Sequence, residues 1–428
     1  MRLPASRRAM AAVADQAISS GTNFLTSLIA MWLLGPRQFG GLTLALALGY
    51  LVLGVARAVI GDPLLAHASA QADEDRRRMV RDATTTALLL GVVSALVVAG
   101  FGMVTGPHEL VWVAPWLVPL LVQDAGRYAA LSARHPQGAL VLDGVWAGAQ
   151  GAALVGFWAA GWVSTGMLLA AWGIGSLAGA AWFVAFDGVN PVAGRPAAWL
   201  AESRHLSGWF TPTALLAQTQ YNVVVFLIAA LLGKAATGGL RAMQMLVLQP
   251  VQTFLLAMTS LLVPRYARQA AAGAYSEVRA TTLWLTRLLA GAALLVLVGI
   301  PVGHLLVDHL FTDYRRYLPL LLPIALQTGV YLVTTPFTAA LRGMQRGRAV
   351  FLTQVAFFSV TIPAVVAGAL AFGLSGAAWG LLAGAVAQLA AATWQYGTAV
   401  TSKTSPQSAP KPPNAPPDQE VRQSLNSP

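Results

Sequence analysis

The 428-residue chain has no cysteine, which excludes disulfides, thiolate metal sites and cysteine nucleophiles. Charge is scarce: Asp, Glu, Lys and Arg make up 10% of the residues, against about 25% in an ordinary soluble domain. Only Lys234, Lys403 and Lys411 are lysines. The six histidines lack metal-ligand spacing, and there is no Gly-rich phosphate loop, nucleophile elbow or Walker motif. These absences predict no catalytic residue, no metal, no cofactor and no ATP hydrolysis, so the chain reads as a non-enzyme.

What is present is hydrophobic surface. Apolar residues make up 56% of the chain and its mean hydropathy is +0.63. A membrane-crossing helix needs about 20 apolar residues, and such stretches fall near 11–34, 40–66, 83–105, 110–131, 139–161, 163–187, 207–233, 238–263, 279–307, 317–341, 349–372 and 375–398. The first follows Arg2, Arg7 and Arg8 like a signal peptide, but it is too long and has no small-residue cleavage site. The expectation is an all-α polytopic membrane protein of about twelve helices.

The stretches repeat. Leu33-Leu34-Gly35 and Gly40-Gly41-Leu42 recur as Leu231-Leu232-Gly233 and Gly238-Gly239-Leu240, an offset of 198; Arg81 and Arg279 share that offset, and Ala170-Ala171-Trp172-Gly173 recurs as Ala377-Ala378-Trp379-Gly380. Ordered matches at a nearly constant offset indicate a duplicated six-helix unit. The division expected is an N-lobe over 1–187, a cytoplasmic connection over 188–206, a C-lobe over 207–400 and a disordered Pro-rich cytoplasmic tail over 401–428. An even helix number in each half orients the two halves alike across the bilayer.

A net charge of +11 invites a nucleic-acid reading, but its distribution argues against one. With the N-terminus inside, 19 basic residues fall in inside segments and five outside (Arg37, Lys234, Arg241, Arg315, Arg316). That asymmetry places both termini in the cytoplasm. The run Asp73-Glu74-Asp75-Arg76-Arg77-Arg78 reads as a solvated cytoplasmic turn. Gly175 with Gly179, and Gly376, Gly380 and Gly384, have the four-residue spacing of close helix packing.

Polar residues at membrane depth carry the chemistry, because each is costly unless it faces a bundle interior or water. Helix 1 presents Asp15 and Asn23 on one stripe; Arg57 and Asp62 lie on helix 2, Asp124 and Arg127 on helix 4, and Asp143 on helix 5. Counted inward from the cytoplasmic ends, Asp15, Asp62, Arg127 and Asp143 lie roughly 6 Å deep, and Asp124 and Arg57 roughly 10 to 14 Å deep. The shallow members can snorkel to the interface, whereas Arg57 needs a buried ion partner or a substrate. The second half offers neutral amides, Gln218, Asn222, Gln244, Gln249, Gln252 and Gln327, with Arg287 as the exception. Amides suit sugar hydroxyls and arginines suit phosphate oxygens.

Ala14-Asp15-Gln16-Ala17, Ser20-Gly21-Thr22-Asn23-Phe24 and the turn Leu34-Gly35-Pro36-Arg37-Gln38-Phe39-Gly40 resemble the opening of the polysaccharide-transporter branch of the multidrug/oligosaccharidyl-lipid/polysaccharide (MOP) flippase superfamily, over residues 1–400. The resemblance implies a flippase in the bacterial cell membrane. It would carry a polyprenyl-diphosphate-linked oligosaccharide across the lipid bilayer for surface polysaccharide synthesis, by alternating access, alongside glycan-biosynthesis membrane proteins. Arg57, Arg127 and Arg287 would then contact the diphosphate, with Asn23, Gln218, Asn222, Gln249 and Gln327 in the cavity. Asp15, Asp62, Asp124 and Asp143 would pair with the arginines or respond to ions. The alternative is a proton- or sodium-coupled multidrug exporter of the same superfamily, centred on Asp15 or Asp124. A membrane glycosyltransferase or polymerase would need a larger outside loop than the segment near 308–316.

Overall fold

Gly35, extended at φ −67° and ψ 163°, precedes Pro36 at the first helical position, where a missing N–H costs nothing and the fixed φ suits the helix. It separates α1 (Phe24–Leu33) from α2 (Pro36–Ala68). In this computed structural model, Gly21 and residues 24–68, 71–105, 108–133 and 136–404 are described. Asp15, Asn23, the side chain of Gln218 and the Pro-rich segment from 405 onward lie outside the described residues.

No strand occurs among the described residues. After α2 come α3 (Asp73–Thr105) and α4 (Leu117–Ser132), which is entered through a short helix (His108–Val113) and a 3₁₀ turn (Ala114–Trp116). Next are α5 (Pro136–Ala159) and α6 (Thr165–Phe186), the latter capped by Ser164, whose hydroxyl accepts from the Met167 amide at 3.1 Å. The helical stretch Pro196–Ala271 breaks at Gly233 (φ 83°) into α7 (196–232) and α8 (234–271). Then follow α9 (Tyr275–Val298, continued by Ile300–Leu310), a 3₁₀ segment (Thr312–Leu320) and α10 (Leu321–Gly343). Gly347–Thr404 breaks at Phe372–Gly373 (φ 61° at Gly373) into α11 (347–371) and α12 (374–404). Positive φ at both breaks is a conformation that glycine adopts without a side-chain clash.

Among the described residues, eight stretches are long and apolar enough to span a bilayer. Two of them contain the breaks at Gly233 and Gly373, and α1 and α4 complete a twelve-helix, multi-pass membrane fold in two six-helix lobes. Large apolar side chains such as Leu294, Leu295 and Val298 on α9 are 64 to 74% exposed, as expected of faces covered by lipid. The glycines spaced by four serve packing. A Cβ on Gly380 would stand 2.6 Å from the Ala364 carbonyl carbon on α11, and one on Gly179 would stand 2.7 Å from the Gln123 side chain on α4. The connection between the halves is tied to α3: the Arg195 amide donates to Asp82 at 2.8 Å and the Gly194 amide to Thr85 at 2.9 Å.

Candidate functional site

Proline sets the geometry of the charged cluster in the first lobe. Pro63 has no N–H, so it cannot satisfy the Val59 carbonyl four residues earlier. The helix instead widens into a π turn over Arg57–Gly61, closed by the Asp62 amide on the Arg57 carbonyl, and the indole of Trp199 on α7 donates to the Val59 carbonyl at 3.3 Å. Trp199 is 1% exposed. Single π turns of this kind often occur at functional positions, and this one aims Arg57 at α4. The Arg57 Nε stands 3.1 Å from both Asp124 oxygens, and its terminal nitrogen 2.7 Å from one, the forked pairing that a guanidinium makes best.

The neighbouring charges are matched as well. Arg127 Nε lies 3.4 Å from Asp143, which also accepts from Gln123 at 3.4 Å, and Tyr128 donates to Asp62 at 3.4 Å. Gln150 receives the Trp146 indole N–H at 2.8 Å and donates to Thr26 at 2.7 Å, joining α5 to α1. The space left among these groups is about 70 Å³, room for a few waters but not for a diphosphate. Arg57 and Arg127 therefore find their counter-charges inside the lobe, where a buried pair is costly to break.

The larger spaces lie elsewhere. One cavity of about 400 Å³ runs through the second lobe, and another of about 250 Å³ lies between α1, α2, α7 and α8. Arg241 and Thr43 line both. The charge distribution along the chain places Arg241 in an outside loop. In the structure it sits eight residues beyond the Gly233 break, on the cavity face of α8, and donates to Gln249 at 3.3 Å. Repeat arithmetic holds the missing signal, since Thr43 and Arg241 are themselves 198 apart.

Around the larger cavity, α8 contributes Thr237, Gln244, Gln252 and Thr259, while α10 contributes Gln327, Tyr331, Thr334, Thr335, Thr338 and Arg342. Their spacing places each set on one helical face. From Gln327 to the exposed Arg342, 15 residues at 1.5 Å each make a polar lane of about 22 Å. No carboxylate occurs among the described residues lining either cavity. Gln327 is 3% exposed; its amide N–H donates to Tyr331 at 3.1 Å, and its carbonyl oxygen has no hydrogen-bond partner among the described residues.

Two expected cavity residues are elsewhere. Arg287 is exposed on the outer face of α9 between Trp284 and Leu288, themselves 61% and 54% exposed, so its long stem can carry the charge along the lipid face toward the interface. Asn222 is buried (3% exposed) within α7 and lines neither cavity, whereas Gln249 lines the interlobe space and Gln327 the lane.

At the membrane face bearing the α1–α2 and α7–α8 turns, the two copies of the repeated motif touch. A Cβ on Gly40 would stand 2.7 Å from the Lys234 carbonyl carbon, and one on Gly238 2.7 Å from the Gly40 amide nitrogen. Lys234 Nζ binds both oxygens of Glu109 at 2.6 and 2.8 Å. The 3₁₀ segment before α10 reaches both turns: the Tyr314 hydroxyl donates to the Leu34 carbonyl and the Tyr317 hydroxyl to the Ala235 carbonyl, each at 2.8 Å. The lobes are thus sealed at this face. The lane reaches the surface at the opposite one, where Arg342 is exposed.

No protein-family model matches the chain, and no curated protein sequence does. Solved structures do resemble it. One is the inward-facing conformation of a multidrug resistance MATE family transporter of the MOP superfamily, at TM-score 0.70 and 14% identity, covering 93% of this chain and 100% of that one. A second is the lipid II flippase MurJ in an inward closed conformation, at TM-score 0.71 and 10% identity, covering 93% and 91%. A third is a MOP superfamily transporter from Pyrococcus furiosus, described as having a binding pocket of reverse polarity, at TM-score 0.64 and 14% identity, covering 92% and 96%. At these identities the likeness shows a shared fold.

Proposed function

We propose that the chain is a flippase for a polyprenyl-diphosphate-linked oligosaccharide in a bacterial cell membrane, working by alternating access between the lobes 1–187 and 207–400. The observation that carries this reading is Arg241. It stands where the interlobe and second-lobe cavities meet, with no carboxylate among their described lining residues. Such a site attracts an anion and repels a cationic drug. A planar guanidinium also matches phosphate oxygens in pairs. Arg57 and Arg127 hold the first lobe together through Asp124 and Asp143 rather than meeting the substrate.

A cation-coupled drug exporter needs a carboxylate free to bind and release its ion. Of the described candidates, Asp124 and Asp143 already face arginines, and Asp62 accepts from Tyr128 outside both larger cavities. With Arg241 moved into the cavity, the basic residues divide 19 inside to four outside (Arg37, Lys234, Arg315, Arg316). This supports a cytoplasmic position for both termini and for the open end of the lane, and an outer position for the sealed face.

The test is Arg241 itself. Purified protein in lipid nanodiscs should bind undecaprenyl diphosphate, Arg241→Ala should lose that binding at normal thermal stability, and Arg241→Lys should recover part of it, since a point charge replaces a fork of donors. Undiminished binding by Arg241→Ala would overturn the reading.

A further inference from the structure

We infer that the lane on α8 and α10 is a glycan subsite that takes a short, uncharged, hydroxyl-rich oligosaccharide while the diphosphate is held at Arg241; this rests on the flippase reading above. The two lobes divide their polar chemistry. In the first lobe, Arg57 pairs with Asp124 and Arg127 with Asp143 around a 70 Å³ space. The second lobe lines a 400 Å³ space with amides and hydroxyls.

Four features point to a sugar. The amides both donate and accept, and the lane's threonine hydroxyls, which donate to carbonyls of their own helices, still accept from a sugar hydroxyl. Gln252, Gln327 and Gln354 bring the amides from three different helices, so a ligand between them is gripped from several sides. Tyr331 and Phe357 line the same space with ring centroids 6.5 Å apart at 45°, an apolar platform for the C–H face of a pyranose. The carbonyl oxygen of Gln327, buried and without a partner among the described residues, is an acceptor awaiting a donor, and leaving it empty is costly.

Length and charge narrow the class further. A lane of about 22 Å exceeds one sugar ring, so it suits a chain of several. Between Arg241 and Arg342 no described lining residue is charged, so a charged sugar placed there would lose its hydration without gaining a counter-ion. The subsite therefore selects neutral glycans by their hydroxyls, the kind of recognition that discriminates strongly, because a missing hydroxyl leaves buried amides unpaired.

The experiment compares two probes on the full chain in nanodiscs: undecaprenyl diphosphate and the same carrier bearing maltotriose. The wild-type protein should bind the maltotriosyl probe at least about tenfold more tightly, the sum of a few buried hydrogen bonds. In the variant Gln252→Leu with Gln327→Leu, the preference should shrink to under about threefold with affinity for the bare carrier unchanged, which also reports intact folding. Equal wild-type affinity for both probes would overturn the subsite while leaving the diphosphate reading standing. A parallel loss for both probes in the double variant would make the amides merely structural and likewise overturn it. No wild-type binding of either probe would remove the flippase reading and the subsite with it.

Discussion

Replacing Gly238 with alanine tests the seal between the lobes. The new methyl carbon would press on the Pro36 carbonyl and stand 2.7 Å from the Gly40 amide nitrogen, whereas non-bonded heavy atoms settle at about 3.5 Å. The two turns must then part by at least the difference, about 0.8 Å. Both atoms in the way are backbone, so no side chain can swing aside. Overpacking of this kind costs about 1 to 3 kcal/mol, and only the sealed state bears it. The ratio of sealed to open molecules should therefore fall by about 5- to 150-fold. The reporter is Thr43→Cys, a cavity-lining position in a chain without natural cysteine. An impermeant maleimide applied from outside should label it slowly in the parent and faster by that factor in Gly238→Ala. Gly40→Ala should act alike, and the double variant should fall short of additive, because both methyls strain one contact. Unchanged labelling at normal protein levels would refute the idea that these glycines form the seal.

The Glu109–Lys234 pair should make the same seal acid-sensitive. Burial would raise the Glu109 pKa, but the hydrogen bonds from Lys234 outweigh it and hold the carboxyl below its usual 4.5; a lowered carboxylate pKa stabilises the sealed state above that value and is lost as the pH drops through it. Thr43→Cys labelling, divided at each pH by that of an exposed cysteine at Asp313 to remove the thiol's own titration, should thus be flat from neutral pH to about pH 5 and rise below about pH 4.5, and Glu109→Gln should remove that rise; a rise that persists in Glu109→Gln would assign the acid response to another group. Arg57→Ala should destabilise the protein by about 3 kcal/mol by stranding the buried Asp124, and Arg57→Ala with Asp124→Asn should regain most of it in thermal unfolding; no regain would show that Arg57 matters through something other than its ion pair. Cysteines placed at Asp75 and Gln345 should be shielded from an impermeant thiol reagent in intact cells while one at Asp313 labels, and the reverse pattern would overturn the proposed orientation.

Some features were legible in the chain because they depend on neighbours in sequence. Apolar runs of span length, the Leu-Leu-Gly turns, and the glycines at Gly376, Gly380 and Gly384 each report a local requirement: crossing hydrocarbon, reversing direction, or letting backbones approach. The duplication was equally plain at an offset of 198. That Arg57 needs a partner followed from its apolar flanks, but the choice of Asp124 over Asp62 did not, since it depends on a π turn induced by Pro63 and braced by Trp199, 140 residues away.

Arg241 and Arg287 show where reading along the chain stops. Both sit on apolar helices of the second half, and composition cannot distinguish them. A helix presents residues around its whole circumference, and packing alone decides which direction faces a cavity and which faces lipid: α8 turns Arg241 inward beside Thr43, and α9 turns Arg287 outward between Trp284 and Leu288. The seal is of the same kind. The spacing of the repeats marks Gly40 and Gly238 as copies of one motif, but that the copies touch is a matter of packing, because two lobes built alike and closed against each other bring equivalent turns to the same face of the membrane.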